Sequence, residues 1–210
     1  MRITCGRSSA PWSRGGSMAR LDEQLFLWIN GFVGRWPVFD GAMKVIVSDY
    51  FVPVVMFLCL LGLWFAVRDP ASRLAHQKAV ITVIATVLIA NFAIEVMNDF
   101  YFRPRPFVDN PVSLLFYKPT DSSFPANSAA SAFAIAGTIW AVNKKIGAAL
   151  AVLAFMFAFA RVYAGVHYPL DVTGGALIGM AAAMLTTWVK EFTDPFLTKL
   201  IKVARALCLA

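Results

Sequence analysis

Five apolar segments follow one another through this chain, at about Phe51 to Val67, Ala79 to Met97, Ala126 to Val142, Ile146 to Ala160 and Val172 to Val189. Each approaches the roughly 20 residues that an α-helix needs to cross the hydrocarbon core of a bilayer. Inside lipid every backbone N–H and C=O must find its partner within the protein, which for segments of this length means helices. Ahead of them, LDEQLFLWINGFVGRWPVF places apolar residues at helical spacing together with Trp28 and Trp36, as in an interfacial helix or a sixth, weaker span. The expectation is an all-α integral membrane bundle of five to six transmembrane helices with an N-terminal interfacial helix. With 59% hydrophobic and only 15% charged residues, the chain falls outside the range of soluble domains.

The flanks divide the chain into three parts: residues 1–20, a tail or the product of an upstream start; 21–195, the membrane domain; and 196–210, an amphipathic C-terminal tail. MRITCGRSSAPWSRGGS contains arginines and glycines but no apolar run, so it is no signal peptide, and Met18 is a plausible start. Cys5, Cys59 and Cys208 are scattered without metal-ligand spacing, which argues for neither a disulfide framework nor a zinc site. A net charge of +7 raises the question of nucleic acid, but the basic residues are spread among the membrane loops. Arg68, Arg73, Lys78, Lys144, Lys145, Lys190, Lys199, Lys202 and Arg205 all fall on one side of alternating spans, the cytoplasmic side by the positive-inside rule. Arg20, Arg35 and Lys44 fall on the other. The same alternation brings three further segments to a single extracytoplasmic mouth, in what is expected to be the plasma (inner) membrane.

Those segments carry the chemistry. ARVYAGVHYPLD, Ala160 to Asp171, sets Arg161, His167 and Asp171 at the lip of an apolar segment, where ionisable groups are expensive and read as functional. His167 and Asp171 are four residues apart, one helical turn, so the carboxylate faces one ring nitrogen and leaves the other as nucleophile or base. RPRP, Arg103 to Pro106, supplies planar guanidinium forks that match phosphate oxygens, with Arg105 the better placed and Arg103 at the rim. FPANSAA, Phe124 to Ala130, resembles a helix start whose free N–H groups, with Asn127 and Ser128, receive an anion. Each motif has a plainer reading: RPRP as a basic turn, His167 as an interfacial residue, Ser128 as a helix cap. Asn91 and Glu95 fit an interhelical hydrogen bond better than a transport path, and Gly175 and Gly179 at GxxxG spacing fit close packing within the bundle.

Together the three segments resemble the type-2 phosphatidic acid phosphatase and vanadium haloperoxidase superfamily, whose signatures read KxxxxxxRP, PSGH and SRxxxxxHxxxD. Arg161, His167 and Asp171 match the third signature, with Ala160 in place of serine. Arg105 and Pro106 match the first, with Asn98 in place of lysine. In the second, Ala126, Asn127 and Ser128 stand for serine, glycine and histidine. The resemblance implies a metal-independent hydrolase that takes a membrane lipid phosphate or diphosphate, isoprenyl or glycerolipid, with no cofactor. It implies His167 as the nucleophile that becomes phosphohistidine, Asp171 as the group that orients it, and Arg105 and Arg161 as phosphate clamps. The family's general acid is replaced by Ser128, whose hydroxyl is too weak an acid for that role. Cleavage of a diphosphate needs that acid less, because its leaving group is itself a phosphate anion, so a diphosphate preference is expected. The alternative is a weak or inactive relative that binds lipid phosphate as sensor, carrier or assembly factor. A vanadate-dependent peroxidase is disfavoured, since those relatives are soluble.

Overall fold

A computed structural model describes residues 17–66 and 69–206. Among them it places nine helices: α1 (Ser17–Asn30), α2 (Pro37–Val47), α3 (Phe51–Phe65), α4 (Pro70–Phe100), α5 (Pro106–Asp109), α6 (Asn127–Trp140), α7 (Lys144–Tyr163), α8 (Pro169–Trp188) and α9 (Lys190–Ala206). The proposed tail before Ser17, the basic residue Arg68 and the last four residues lie outside the described part. The five expected apolar segments fall on α3, α4, α6, α7 and α8, with Val67 outside the described residues and α6 ending at Trp140, short of Val142. α4 starts earlier than hydropathy suggested, because Asp69 accepts a hydrogen bond from Ser72 N and Pro70 follows at the first helical position, where a proline's missing N–H is harmless. α4, α7 and α8 are long and apolar enough to cross a membrane, and α2 with α3, bent by 57° at their junction, makes up to four. α6, at 14 residues, extends only about 21 Å.

The bundle is built on α6, which packs most closely against α8 and also meets α4 and α7. Small residues allow this. A Cβ at Gly175 would overlap the carbonyl oxygen of Ala126, and one at Gly179 that of Ala130, so the GxxxG pair serves packing inside the bundle. Thr86, Thr138 and Thr186 join α4, α6 and α8 through hydroxyl contacts of 2.8 and 3.1 Å, and Asn91 reaches Ser131 at 3.3 Å. One end of the bundle holds the N-terminal turns of α4 and α7, with Arg73, Lys78, Lys144 and Lys145. The C-terminal ends of the same two helices lie opposite, beside the starts of α6 and α8. At the basic end, α9 is tied to α4 by the Lys78–Asp194 ion pair, 2.7 Å long.

The N-terminal stretch differs from the single interfacial helix expected. Gly34, at φ 89°, turns the chain between α1 and α2. Leu21, Leu25 and Trp28 of α1 are exposed, whereas Asp22, Phe26 and Asn30, at i, i+4 and i+8, are buried against the rest of the protein. Asn30 fixes this arrangement by donating to Ser113 O and Tyr163 O, both at 2.9 Å, and accepting from Ser113 N.

Candidate active site

α7 ends at Tyr163, two residues beyond Arg161. Gly165 adopts φ 86°, and the N–H of Val166 returns to Arg161 O at 3.2 Å, a left-handed helix stop open to glycine. α8 then begins at Pro169, with Asp171 accepting from Tyr168 N at 2.8 Å to close the first turn. His167 therefore sits in the connection between two helices. This corrects the expectation that His167 and Asp171 lie one turn apart on a single helix. It also corrects the direct pairing: His167 Nδ1 is 3.9 Å from Asp171 and donates instead to the carbonyl of Ser123 at 2.9 Å.

Asp171 acts through that serine. Its carboxylate accepts from Ser123 Oγ at 2.5 Å and Arg103 Nη1 at 2.6 Å, in addition to Tyr168 N. Arg103 in turn donates to Asp22 of α1 at 2.7 Å and lies over the Tyr168 ring, 4.1 Å from its centre. Asp22 also accepts from Leu170 N at 2.9 Å. Arg103, expected at the phosphate rim, is thus consumed by two carboxylates and does not line the cavity. It belongs to a buried scaffold, Asp22–Arg103–Asp171–Ser123, behind the imidazole. Burial raises the Asp22 pKa above 3.8, against the opposing pull of Arg103.

With Nδ1 donating to a carbonyl, Nε2 carries the lone pair, and it accepts from Arg105 Nη1 at 3.1 Å. Burial lowers the His167 pKa below 6.5; Asp171 opposes this and Arg105 reinforces it. The ring is neutral near pH 7, as a nucleophile requires. Arg105 is held at the Asp121 carbonyl (3.1 Å), the Asp121 carboxylate (2.9 Å) and Val166 O (3.1 Å). Pro106, which follows it, starts the one-turn helix α5 rather than prolonging a loop.

His167 and Arg105 open onto a cavity of about 410 Å³ that also receives Arg161, Asn127, Ser128 and Asp121. Arg161 stands between the rings of Phe116 and Phe157, 4.9 Å from each centre, and donates to Asp49 at 2.6 Å. Its buried Nε–H has no partner. Ser128 is the second residue of α6, after the N-cap position Ala126, so it is no cap; its Oγ is buried and unpartnered. Below this polar mouth, Val52, Met56, Ala132, Ile135 and Phe157 make an apolar floor between α3, α6 and α7. The break between α2 and α3 delivers Asp49, which also accepts from Tyr117 Oη at 2.9 Å.

Five contributors escaped the sequence reading: Asp22, Asp49, Tyr117 and Asn30, which have no motif around them, and Ser123, which lies one residue before FPANSAA. The available signal for Asp22 was its place with Phe26 and Asn30 on an i, i+4, i+8 stripe of α1.

The PAP2 superfamily model matches residues 79–194. The undecaprenyl-diphosphatase BcrC of Bacillus subtilis is 30% identical over 187 residues, covering 89% of this chain and 93% of that protein. The crystal structure of Aquifex aeolicus LpxE superposes with a TM-score of 0.62 at 33% identity, over 80% of this chain and 94% of that one. A PAP2-type phosphatidylglycerolphosphate phosphatase from Bacillus subtilis shares the fold, with a TM-score of 0.62 at 20% identity over 85% and 88% of the two chains.

Proposed function

We propose that this chain, which belongs to the PAP2 superfamily, removes the terminal phosphate of an isoprenyl diphosphate at the outer face of the plasma membrane. The observation that carries the reading is the neutral His167 Nε2 lone pair beside Arg105, at the mouth of a cavity whose floor is apolar. The terminal phosphoryl group lies between Arg105, the unpartnered Nε–H of Arg161 and the first-turn N–H groups of α6 at Asn127 and Ser128, which have no acceptor within the helix. The first prenyl units run along the apolar floor.

His167 Nε2 attacks phosphorus in line with the bridging oxygen and forms phosphohistidine. The carbonyl of Ser123 keeps the proton on Nδ1 and takes up the charge that develops on the ring, with Asp171 fixing Ser123 from behind. The departing group is a lipid monophosphate, stable as an anion near neutral pH because its second pKa is about 6. A lipid monophosphate substrate would instead expel an alkoxide, and nothing at Ser128 protonates one. Water completes the cycle. A relative that only binds lipid phosphate is the second reading, favoured by the orphaned Ser128 Oγ and Asn98 Oδ1. Phosphate release from undecaprenyl diphosphate and undecaprenyl phosphate by the purified full chain, beside His167→Ala, decides between them: release from the diphosphate that is lost in the variant supports the enzyme, and tight binding without release supports the binder.

A further inference from the structure

His167 and Asp121 meet on the same guanidinium. Arg105 places Nη1 3.1 Å from His167 Nε2 and Nη2 2.9 Å from Asp121 Oδ1, while its Nε donates to the Asp121 carbonyl at 3.1 Å. Main chain and side chain of Asp121 are thus both fixed to the arginine beside the nucleophile. The carboxylate is nevertheless 68% exposed, and among the described residues its second oxygen accepts no hydrogen bond. An ionised carboxylate has about four acceptor positions, so Asp121 has room to receive a proton, and its exposure lets it pass that proton to solvent. Asp49, which also lines the cavity, is placed differently. It accepts from Arg161 Nη2 at 2.6 Å and from Tyr117 Oη at 2.9 Å, and shares no guanidinium with His167. The chain's other histidine, His76, lies in the second turn of α4 at the basic end of the bundle, away from the cavity.

Hydrolysis of a phosphohistidine needs a base. As water attacks, its oxygen bonds to phosphorus, the P–N bond breaks with the electron pair returning to His167 Nε2, and one proton of the water must leave. The ring is not free to take it, because Nε2 is bonded to phosphorus and Nδ1 already donates to Ser123 O. A phosphoryl group held at Arg105 sets negative charge beside Asp121, and a like charge strengthens a carboxylate's hold on a proton. Asp121 therefore becomes a stronger base in the phosphorylated protein, at the step that requires one. Ser128 Oγ, buried and unpartnered at the same cavity, is a hydrogen-bond partner for the attacking water. The first half makes no such demand, since the lipid monophosphate leaves as an anion.

We propose that Asp121 is the catalytic base of the second half, taking the proton of the water that attacks phosphohistidine and then releasing it to solvent. This rests on His167 being the nucleophile of the proposed hydrolase. At the end of the step the water oxygen is in inorganic phosphate, its proton is on Asp121, and the electron pair is back on His167 Nε2.

The test uses the full chain in detergent micelles with farnesyl diphosphate radiolabelled in its terminal phosphate. Samples are quenched in alkali, which phosphohistidine survives. Asp121→Asn and Asp121→Gln each keep an oxygen for Arg105 and lose the base. Both should release a first equivalent of farnesyl monophosphate at the wild-type rate and then stall with label on the protein. That label should decay about 100-fold more slowly than in the wild type, or slower still, since acid–base assistance is worth ~10²- to 10⁴-fold. A decay rate does not depend on how many molecules are folded, so partial misfolding lowers only the amplitude. Label that decays at the wild-type rate in both variants overturns the proposal and leaves the hydrolase standing. A first equivalent lost from variants that elute from gel filtration as the wild type does also overturns it, because Asp121 would then serve the first half through Arg105. No phosphate from the wild type, or labelled protein from His167→Ala, overturns the nucleophile and the proposal with it.

Discussion

Asp22 is the sharpest test of how the site is held, because it lies on α1, far from any signature residue, and touches nothing that reacts. In Asp22→Ala the Arg103 Nη2 and Leu170 N–H donors lose their acceptor. Breaking a fully buried ion pair costs about 3–5 kcal/mol. Two features reduce this: Arg103 is 19% exposed and keeps Asp171 at 2.6 Å, and the raised pKa of Asp22 means that its charge is itself held at some expense. A loss of about 2–3 kcal/mol remains, in line with about 1–3 kcal/mol for each orphaned donor. At about 2–4 °C per kcal/mol for a chain of this size, the thermal inactivation midpoint should fall by about 4–12 °C. Asp22→Asn keeps an acceptor for Leu170 and should lose about half as much. Turnover should fall with Asp22→Ala, since Arg103 can then swing about Asp171 and loosen Ser123 behind the imidazole. Asp22 also has a pH signature. Its folded pKa is raised, so the stability it contributes is present below 3.8 and lost as pH climbs through the folded value; Asp22→Asn should flatten that slope. The assay is residual activity after heating the full chain in detergent across a pH series. An inactivation midpoint and turnover both unchanged in Asp22→Ala would refute the scaffold.

Three further outcomes are expected. Gly179→Ala sets a methyl against the Ala130 carbonyl and should cost about 1–3 kcal/mol with loss of activity, whereas Gly62→Ala, in open space on α3, should be neutral or stabilising by up to about 1 kcal/mol; equal melting points for the two would contradict the α6–α8 packing. His167 has a lowered folded pKa, so its stability contribution is present above 6.5 and lost as pH falls through the folded value. His167→Gln should lose that acid-side decline in thermal midpoint, and an identical pH profile in both proteins would count against a buried neutral ring. In a cysteine-free background, a cysteine at Lys118 should react with an impermeant reagent from outside and one at Lys144 should not; the reverse pattern would invert the proposed orientation.

Arg105, Arg161 and His167 were legible because each lies in a short run with unusual chemistry for its surroundings, and hydropathy located the helices on which they depend. Connections were harder. Helical periodicity carries straight through AGVHYPLD and gives His167 and Asp171 a shared turn, but Gly165 at positive φ ends α7 first and lets a backbone carbonyl from Ser123 take the ring nitrogen. A carbonyl has no sequence signature. Arg103 and Arg105 look alike in RPRP, and only the arrival of Asp22 from 81 positions away separates the scaffold residue from the one facing the cavity. Asp49 depends likewise on a break between α2 and α3 that composition does not mark.

The polar mouth above an apolar floor also determines which concentration the protein senses. A diphosphate at headgroup depth can enter while its chain stays among acyl tails, avoiding the ~0.8 kcal/mol per CH₂ that withdrawal into water would require. Encounter then takes place in two dimensions. Saturation should follow the mole fraction of substrate in the bilayer, and diluting it with inert lipid at constant bulk concentration should slow the reaction as withholding substrate would.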